Sequence, residues 1–297
     1  MRPFEYVAAK DSVHAVALLK KYGSSARILA GGTDLLVELK SAPNGPDVIV
    51  DISRAHDLKG IEVTNQGLRI GALTTHSEIM HSPVVRQMFP ALVEAAHTIG
   101  AVQTRNLGTL GGNLATGVPS MDSGPTLIAL DALVTVICDD GVRRIPLEQF
   151  FAGPRKTILT PGELLVDVII PTKNLGKPAA FVKFGLRKGQ ALALVNVGAS
   201  LRVDWDRHAF VQVRIALGAV APTVIRARAA EAYLEGRAIV PDAMAEAGCI
   251  AAGETKPISD FRASAGYRRE LTAVLTRRAL AEACKLAVAK HDGATPA

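Results

Sequence analysis

The sequence predicts an α+β protein of more than one compact unit, and three observations lead there. Its 297 residues exceed the roughly 100–150 that a single core usually spans, so two or three units are expected. A hydrophobic content of 48% against 21% charged residues describes a globular chain that buries a sizeable core, with aromatics so few that aliphatic packing must dominate. Short β-branched runs alternate with helix-period segments early in the chain, whereas the last third places strands first and Ala-rich helices second.

Residues 11–23 form the first expected helix: Asp11 or Ser12 caps it, apolar Val13, Val16, Ala17 and Leu19 recur at helical spacing, and Gly23 ends it. A strand at 27–30 runs into Gly31-Gly32, a helical stretch follows from Thr33 to Lys40, and Val48-Ile49-Val50-Asp51-Ile52 is a buried strand by its β-branched run. Residues 1–55 therefore read as a small α/β unit.

A second unit, 56–175, is expected to carry its own sheet. It holds a strand at 68–73, an apolar helix at 90–98, a glycine-rich stretch from Gly108 to Gly117, and a strand at 164–171. The runs 133–138 and 142–145 form a hairpin across Asp139-Asp140-Gly141, because Asp-Gly supplies the positive φ of a tight turn. Residues 172–178 are the linker candidate, with Gly176, Pro178 and two lysines. The third unit, 178–290, begins with strands at 181–186, 195–203 and 210–217. Helices at 227–236, 241–252 and 264–290 complete it, and only the last few residues are expected to be disordered.

Composition excludes several functions. The excess of 34 Lys+Arg over 28 Asp+Glu is dispersed and lacks interleaved aromatics, which argues against nucleic acid, and the arginines between Arg226 and Arg278 read as a solvated helical face. Three scattered cysteines, Cys138, Cys249 and Cys284, give no zinc or iron–sulfur spacing; each is expected to be buried and inert in a reducing cytoplasm. No signal peptide and no run of about 18 apolar residues is present, so the chain is expected to be soluble. Among the glycines no pair is separated by a single residue, which removes the GxGxxG loop, and Walker, GxSxG and HExxH motifs are absent as well. The histidines form no i, i+4 pair; His76 and His81 read as surface or packing residues.

Two glycine turns remain. In Leu29-Ala30-Gly31-Gly32-Thr33-Asp34 a strand ends on paired glycines and a helix begins at Thr33, so backbone amides can converge on an anion such as a pyrophosphate. Thr109-Leu110-Gly111-Gly112-Asn113 repeats those ingredients. Alone, such a turn is more often only a tight connection. Together they point to a nucleotide cofactor.

At these residues the sequence resembles the FAD-binding medium subunit of the molybdenum hydroxylases, the family of xanthine dehydrogenase and aerobic carbon monoxide dehydrogenase, whose AGGTDL-like and T-x-GGN loops stand here as Ala30 to Leu35 and Thr109 to Asn113. The resemblance covers nearly the whole chain. It implies a two-part FAD-binding domain of the vanillyl-alcohol-oxidase (PCMH) type to about residue 175, then the family's C-terminal flavoprotein domain of sheet plus helices.

Matched position by position, the resemblance implies that Leu29, Ala30, Gly31, Gly32, Thr33, Asp34, Leu35 and Leu36 cradle the pyrophosphate from one side, and Thr109, Gly111, Gly112 and Asn113 from the other. Ile99 and Gly100 lie near the cofactor, Asp122 binds the ribityl or ribose region, and Leu165 and Lys183 contact the nucleotide or flavin end. From the residues alone, Asp122 is equally a helix cap, Leu165 a strand core residue and Lys183 a surface lysine, while Arg105-Asn106, just before the second loop, either reaches phosphate or equally faces solvent. An aromatic stands at the position of Ile99 in xanthine-dehydrogenase-type members. No His or Cys occupies the first loop, so the FAD is expected to be non-covalent.

The implied assembly has three subunits: a small one with two [2Fe-2S] clusters, a large one with molybdopterin, and this chain with FAD, which passes electrons to an external acceptor. No catalytic residue and no metal ligand is expected here. Readings from other classes are a non-catalytic nucleotide-binding or assembly module and a stand-alone flavoprotein oxidase.

Overall fold

A computed structural model describes residues 3–41 and 45–293; residues 294–297, where the tail was expected to be disordered, lie outside them. The N-terminal unit consists of β1 (Glu5–Ala8), α1 (Ser12–Tyr22), β2 (Ala26–Leu29), α2 (Leu35–Ser41) and β3 (Val48–Asp51). Its strands form a parallel sheet in the order β1-β3-β2. The Asp11 carboxylate accepts the His14 amide at 2.7 Å and caps α1. The buried face of α1 is Ala15, Val16, Leu18 and Leu19, with Val13 exposed. The sequence reading set that face slightly out of register, because Ala15 and Leu18 complete the stripe that Val13 and Ala17 were expected to fill.

The second unit begins with β4 (Ile61–Thr64) and β5 (Gly67–Gly71), followed by short helices. These are α3 (His76–His81), α4 (Pro83–Met88), α5 (Pro90–His97), α6 (Val102–Leu107), α7 (Leu110–Thr116) and α8 (Ser123–Ala129). The hairpin β6 (Leu133–Cys138) and β7 (Gly141–Pro146) turns at Gly141, φ 136°. A small ribbon, β8 (Phe151–Gly153) and β9 (Lys156–Thr157), precedes β10 (Leu164–Pro171). The antiparallel sheet runs β4-β5-β10-β6-β7.

Strand β10 joins the first two units through its two faces: Leu164 and Val166 enter the core of the N-terminal unit, and Leu165, Val168 and Ile170 that of the second. A register shift between Leu165 and Asp167 accompanies this division.

The third unit holds β11 (Ala179–Gly185), β12 (Ala193–Asp204), β13 (Ala209–Gly218) and β14 (Ile225–Arg226), an antiparallel sheet in sequence order, then α9 (Arg228–Leu234), α10 (Pro241–Gly253) and α11 (Ala265–His291). Its core is largely aliphatic, as the scarcity of aromatics requires. The crossover at 172–178 is packed: Asn174 donates to the Leu130 carbonyl at 2.8 Å, and the buried Lys177 ammonium to the Gln212 carbonyl at 2.7 Å.

Helix α8 is buried along its length and lies against β12 and β13. A Cβ at Gly198 of β12 would stand 2.5 Å from the Pro125 carbonyl, and the Ser200 hydroxyl donates to the Ala129 carbonyl at 2.6 Å. The expected solvated arginine face is partly buried: Arg268 is enclosed and bonds Asp260 and the Leu194 carbonyl, and Arg226 pairs with Glu231. Cys249 is exposed and Cys138 only partly buried, contrary to the expectation of three buried thiols, while Cys284 is buried and burial pushes its thiol up to about 11. Among the described residues no helix is long and apolar enough to cross a membrane and no side-chain cluster suits a metal ion.

Candidate cofactor site

A cavity of about 720 Å³ opens between the N-terminal and second units. The first glycine turn leaves β2 at the carboxyl end of its strand, where open parallel sheets usually hold ligands. Its backbone packs on the turn that precedes α7: a Cβ at Gly31 would stand 1.8 Å from the Leu107 carbonyl oxygen, so only glycine permits this approach. Leu29 and Leu36 pack beneath Gly32, their methyls about 3 Å from where its Cβ would be. They shape the turn from behind and do not line the cavity. Helix α2 begins at Leu35, later than the sequence suggested.

The amides of Gly31, Gly32, Thr33 and Asp34 have no hydrogen-bond partner among the described residues. Four consecutive free N–H groups lining a cavity form an anion-binding concavity. The second turn differs. There the amides are already spent: Leu110 donates to the Thr74 carbonyl at 2.9 Å, Gly111 to the Ala72 carbonyl at 2.9 Å, Gly112 to the Thr109 hydroxyl at 3.1 Å and Asn113 to the Thr109 carbonyl at 3.0 Å. The Thr-x-Gly-Gly-Asn turn is thus built into the wall, with Gly111 required because a Cβ would stand 2.6 Å from that of Ala72. What it offers a ligand is Asn113, whose side-chain oxygen accepts from Ser123 at 2.6 Å, leaving the NH2 as donor.

Of the residues expected at the site, Ala30, Gly31, Gly32, Thr33, Asp34, Leu35, Ile99, Thr109, Gly111, Gly112, Asn113 and Leu165 line the cavity; Leu29, Leu36, Gly100, Asp122 and Lys183 do not. Leu165 is at once core and wall. Asp122 stands at the N-cap of α8 but does not cap it. It pairs with Lys183 at 2.5 Å and accepts from Asn196 at 2.8 Å, and neither Asp122 nor Lys183 is at the surface. Burial raises the Asp122 carboxyl above the usual carboxylate range, and the Lys183 ammonium opposes that rise.

Lys183 also donates to the Thr98 carbonyl at 3.2 Å, and Arg105 to the Ile99 carbonyl at 3.0 Å. These cations hold the Ile99 end of the cavity in place. Asn106 accepts from Ser77 at 2.5 Å instead of reaching the cavity.

The sequence reading missed several wall residues. At the rim, Glu38 accepts from Arg155 at 2.5 Å and from Arg27 at 3.4 Å, and beside them Asp34 is half-buried and its carboxyl raised by desolvation. His76 also lines the wall; it is 2% exposed and burial, assisted by Arg105, drives its imidazole down to about 4. Charge residues scattered over 27–155 carry no local motif, so only the capping box of α3, Thr75 with Glu78, marked the segment that orients His76.

Two loops clasping one cavity, one rich in free amides and the other a packed wall, define a protein that binds a phosphorylated dinucleotide cofactor across two subdomains. The family model "FAD binding domain in molybdopterin dehydrogenase" matches residues 2–173, and "CO dehydrogenase flavoprotein C-terminal domain" matches 180–283. The chain belongs to this family of FAD-binding subunits of molybdenum hydroxylases. It is 34% identical over 277 residues to the carbon monoxide dehydrogenase medium chain of Hydrogenophaga pseudoflava, covering 93% of this chain and 96% of that one. It is 32% identical over 289 residues to the xanthine dehydrogenase FAD-binding subunit of Escherichia coli O157:H7, covering 96% and 97%. A solved structure of the Hydrogenophaga pseudoflava enzyme superposes with a TM-score of 0.91 at 35% identity, over 96% of this chain and 99% of that one.

Proposed function

We propose that this chain is the FAD-carrying electron-transfer subunit of a cytoplasmic, heterotrimeric molybdenum hydroxylase. In this reading a small partner subunit carries two [2Fe-2S] clusters and a large one the molybdopterin centre where substrate is hydroxylated, and an external acceptor receives the electrons. Bound FAD supplies a redox centre able to exchange one or two electrons. The protein's part is binding and orientation. The Gly31–Asp34 amides would hold the pyrophosphate, Thr33 and Asn113 would add side-chain hydrogen bonds, and Ile99 would border the far end. No acid–base dyad is needed, and two of the lining carboxylates are engaged: Glu38 with Arg27 and Arg155, Glu163 with Arg143.

The observation that carries the reading is the run of four unpaired amides in a cavity of dinucleotide size, in a chain similar over 93% and 96% of its length to a carbon monoxide dehydrogenase medium chain and a xanthine dehydrogenase FAD-binding subunit. Similar identity to a carbon monoxide and a xanthine dehydrogenase subunit also fits a chain that leaves substrate choice to its partners. Purification from the native source is the test. Co-purification of iron–sulfur and molybdopterin subunits, with one FAD per copy of this chain, is expected. A flavin-loaded chain that oxidises a small substrate alone would overturn the heterotrimer, and a chain lacking flavin absorption would favour an assembly module.

A further inference from the structure

Seven buried side-chain atoms lack a hydrogen-bond partner among the described residues, and His76 Nδ1 is the one that belongs to a residue of the cofactor cavity wall. Of the others, Arg268 Nε belongs to a residue lining a second, smaller cavity, and those on Thr126, Thr135, Asp167, Asn196 and Thr276 are on buried residues away from both cavities. An orphaned polar atom in a native wall calls for an explanation. The ring stands at the seam of the two turns: a Cβ built on Gly108 would lie 3.4 Å from His76 Cδ2 and 3.5 Å from Thr33 Oγ1. The histidine edge and the Thr33 hydroxyl therefore flank the same glycine, beside the first turn and its free amides. The His76 backbone is fixed there by donation to the Gly108 carbonyl at 3.1 Å.

The tautomer follows from the enclosure. Nδ1 is sealed off and has no partner, and an enclosed lone pair costs less than an enclosed N–H, so the proton belongs on Nε2, which is not among the enclosed unpartnered atoms. Burial keeps the ring neutral at pH 7. A neutral donor held against an anion-binding turn has one evident use.

We propose that His76 is a ligand of the FAD diphosphate, donating its Nε2 proton to an oxygen gathered by the Gly31–Asp34 amides. The proposal rests on FAD as the occupant of the cavity. Its hydrogen bond is charge-assisted on the acceptor side, which makes it one of the stronger contacts a neutral side chain can give.

The test uses the full-length chain, stripped of flavin and titrated with FAD and with ADP, which carries the adenosine and diphosphate without the flavin. His76→Leu removes the donor and fills the space, and His76→Gln restores an N–H at comparable reach. The leucine variant should lose about tenfold or more in affinity for both ligands, the glutamine variant should recover most of it, and the flavin-free leucine variant should melt no lower than wild type because no orphaned nitrogen remains. Wild-type affinity for FAD and ADP in His76→Leu would overturn the proposal, as would a leucine variant whose lost affinity tracks a lowered melting temperature and is not rescued by glutamine. Wild type that binds neither ligand would instead sink the FAD reading, and this inference with it.

Discussion

His76 ties cofactor binding to stability because a neutral buried imidazole must be kept from its proton. In the unfolded chain it protonates near 6.5, whereas in the fold burial, then the Arg105 charge, hold it down to about 4. The unfolded state thus binds the extra proton as pH falls, so stability present above the first value is lost progressively down to the second. The shift corresponds to about 3 kcal/mol. Urea unfolding of the flavin-free chain should show this loss between pH 7 and pH 4, and His76→Leu should flatten the slope over that window. Equal slopes in both chains would mean that the ring is not held neutral. Asp260 acts lower: burial opposes its ionisation, but the amides of Arg262 and Ala263 and the Arg268 guanidinium outweigh it and hold the carboxyl near 2, so its contribution is lost only in stronger acid. At Gly31 the constraint is steric. Because a Cβ would press on the Leu107 carbonyl, Gly31→Ala should cost about 1–3 kcal/mol of stability and weaken FAD binding by more than about tenfold; flavin retention at the wild-type level would refute the close packing of the two turns as the basis of the site.

The elements that position the site are α8 and β10, and the sequence disclosed them unequally. The run Leu164-Leu165-Val166-Asp167-Val168-Ile169-Ile170 reads as a buried strand because both its faces meet apolar neighbours, and the hairpin of β6 and β7 was legible from Asp-Gly alone. Helices α3, α4 and α6 were not, since each spans six residues, too few for a helical period to emerge; tertiary contacts decide them. Glycine pairs announced the two turns. What local sequence could not reveal was that the second turn spends two of its amides, those of Leu110 and Gly111, on Thr74 and Ala72, residues far away in the chain. The Asp122–Lys183 pair shows the same limit: a cap and a surface lysine by local reading, they meet only because α8 packs on β11 and β12. Removing one partner of a buried pair leaves an uncompensated charge. Lys183→Met should therefore destabilise by about 3–5 kcal/mol, and adding Asp122→Asn should restore part of that loss. A double variant no more stable than the single one, measured by denaturant melts, would show that the pair is not what couples α8 to the third sheet.

Across the whole molecule the described strands form three main sheets and a small two-stranded ribbon, and the cores beneath the main sheets are not separate. Ala179, Phe181, Ala216 and Val224, all beyond the crossover, belong to the core of the second unit, together with Leu127, Ile128 and Phe150. Helix α8 supplies that core on one side and receives Gly198 and Ser200 of β12 on the other. The family boundary between residues 173 and 180 thus divides the chain without dividing its packing. Burying one large side chain such as Phe181 contributes about 2 kcal/mol, and a domain's net stability is only about 5–15 kcal/mol, so loss of this shared surface is a large fraction of the total. Calorimetry of the full chain should accordingly give one cooperative transition. A fragment ending at residue 173 should expose the β12-facing side of α8, fail to unfold cooperatively and fail to retain FAD, although every cavity-lining residue lies within it. Two resolved transitions in the full chain, or a fragment that folds and binds FAD with full-length affinity, would instead mean that the flavin domain stands alone and that the C-terminal sheet only docks against it.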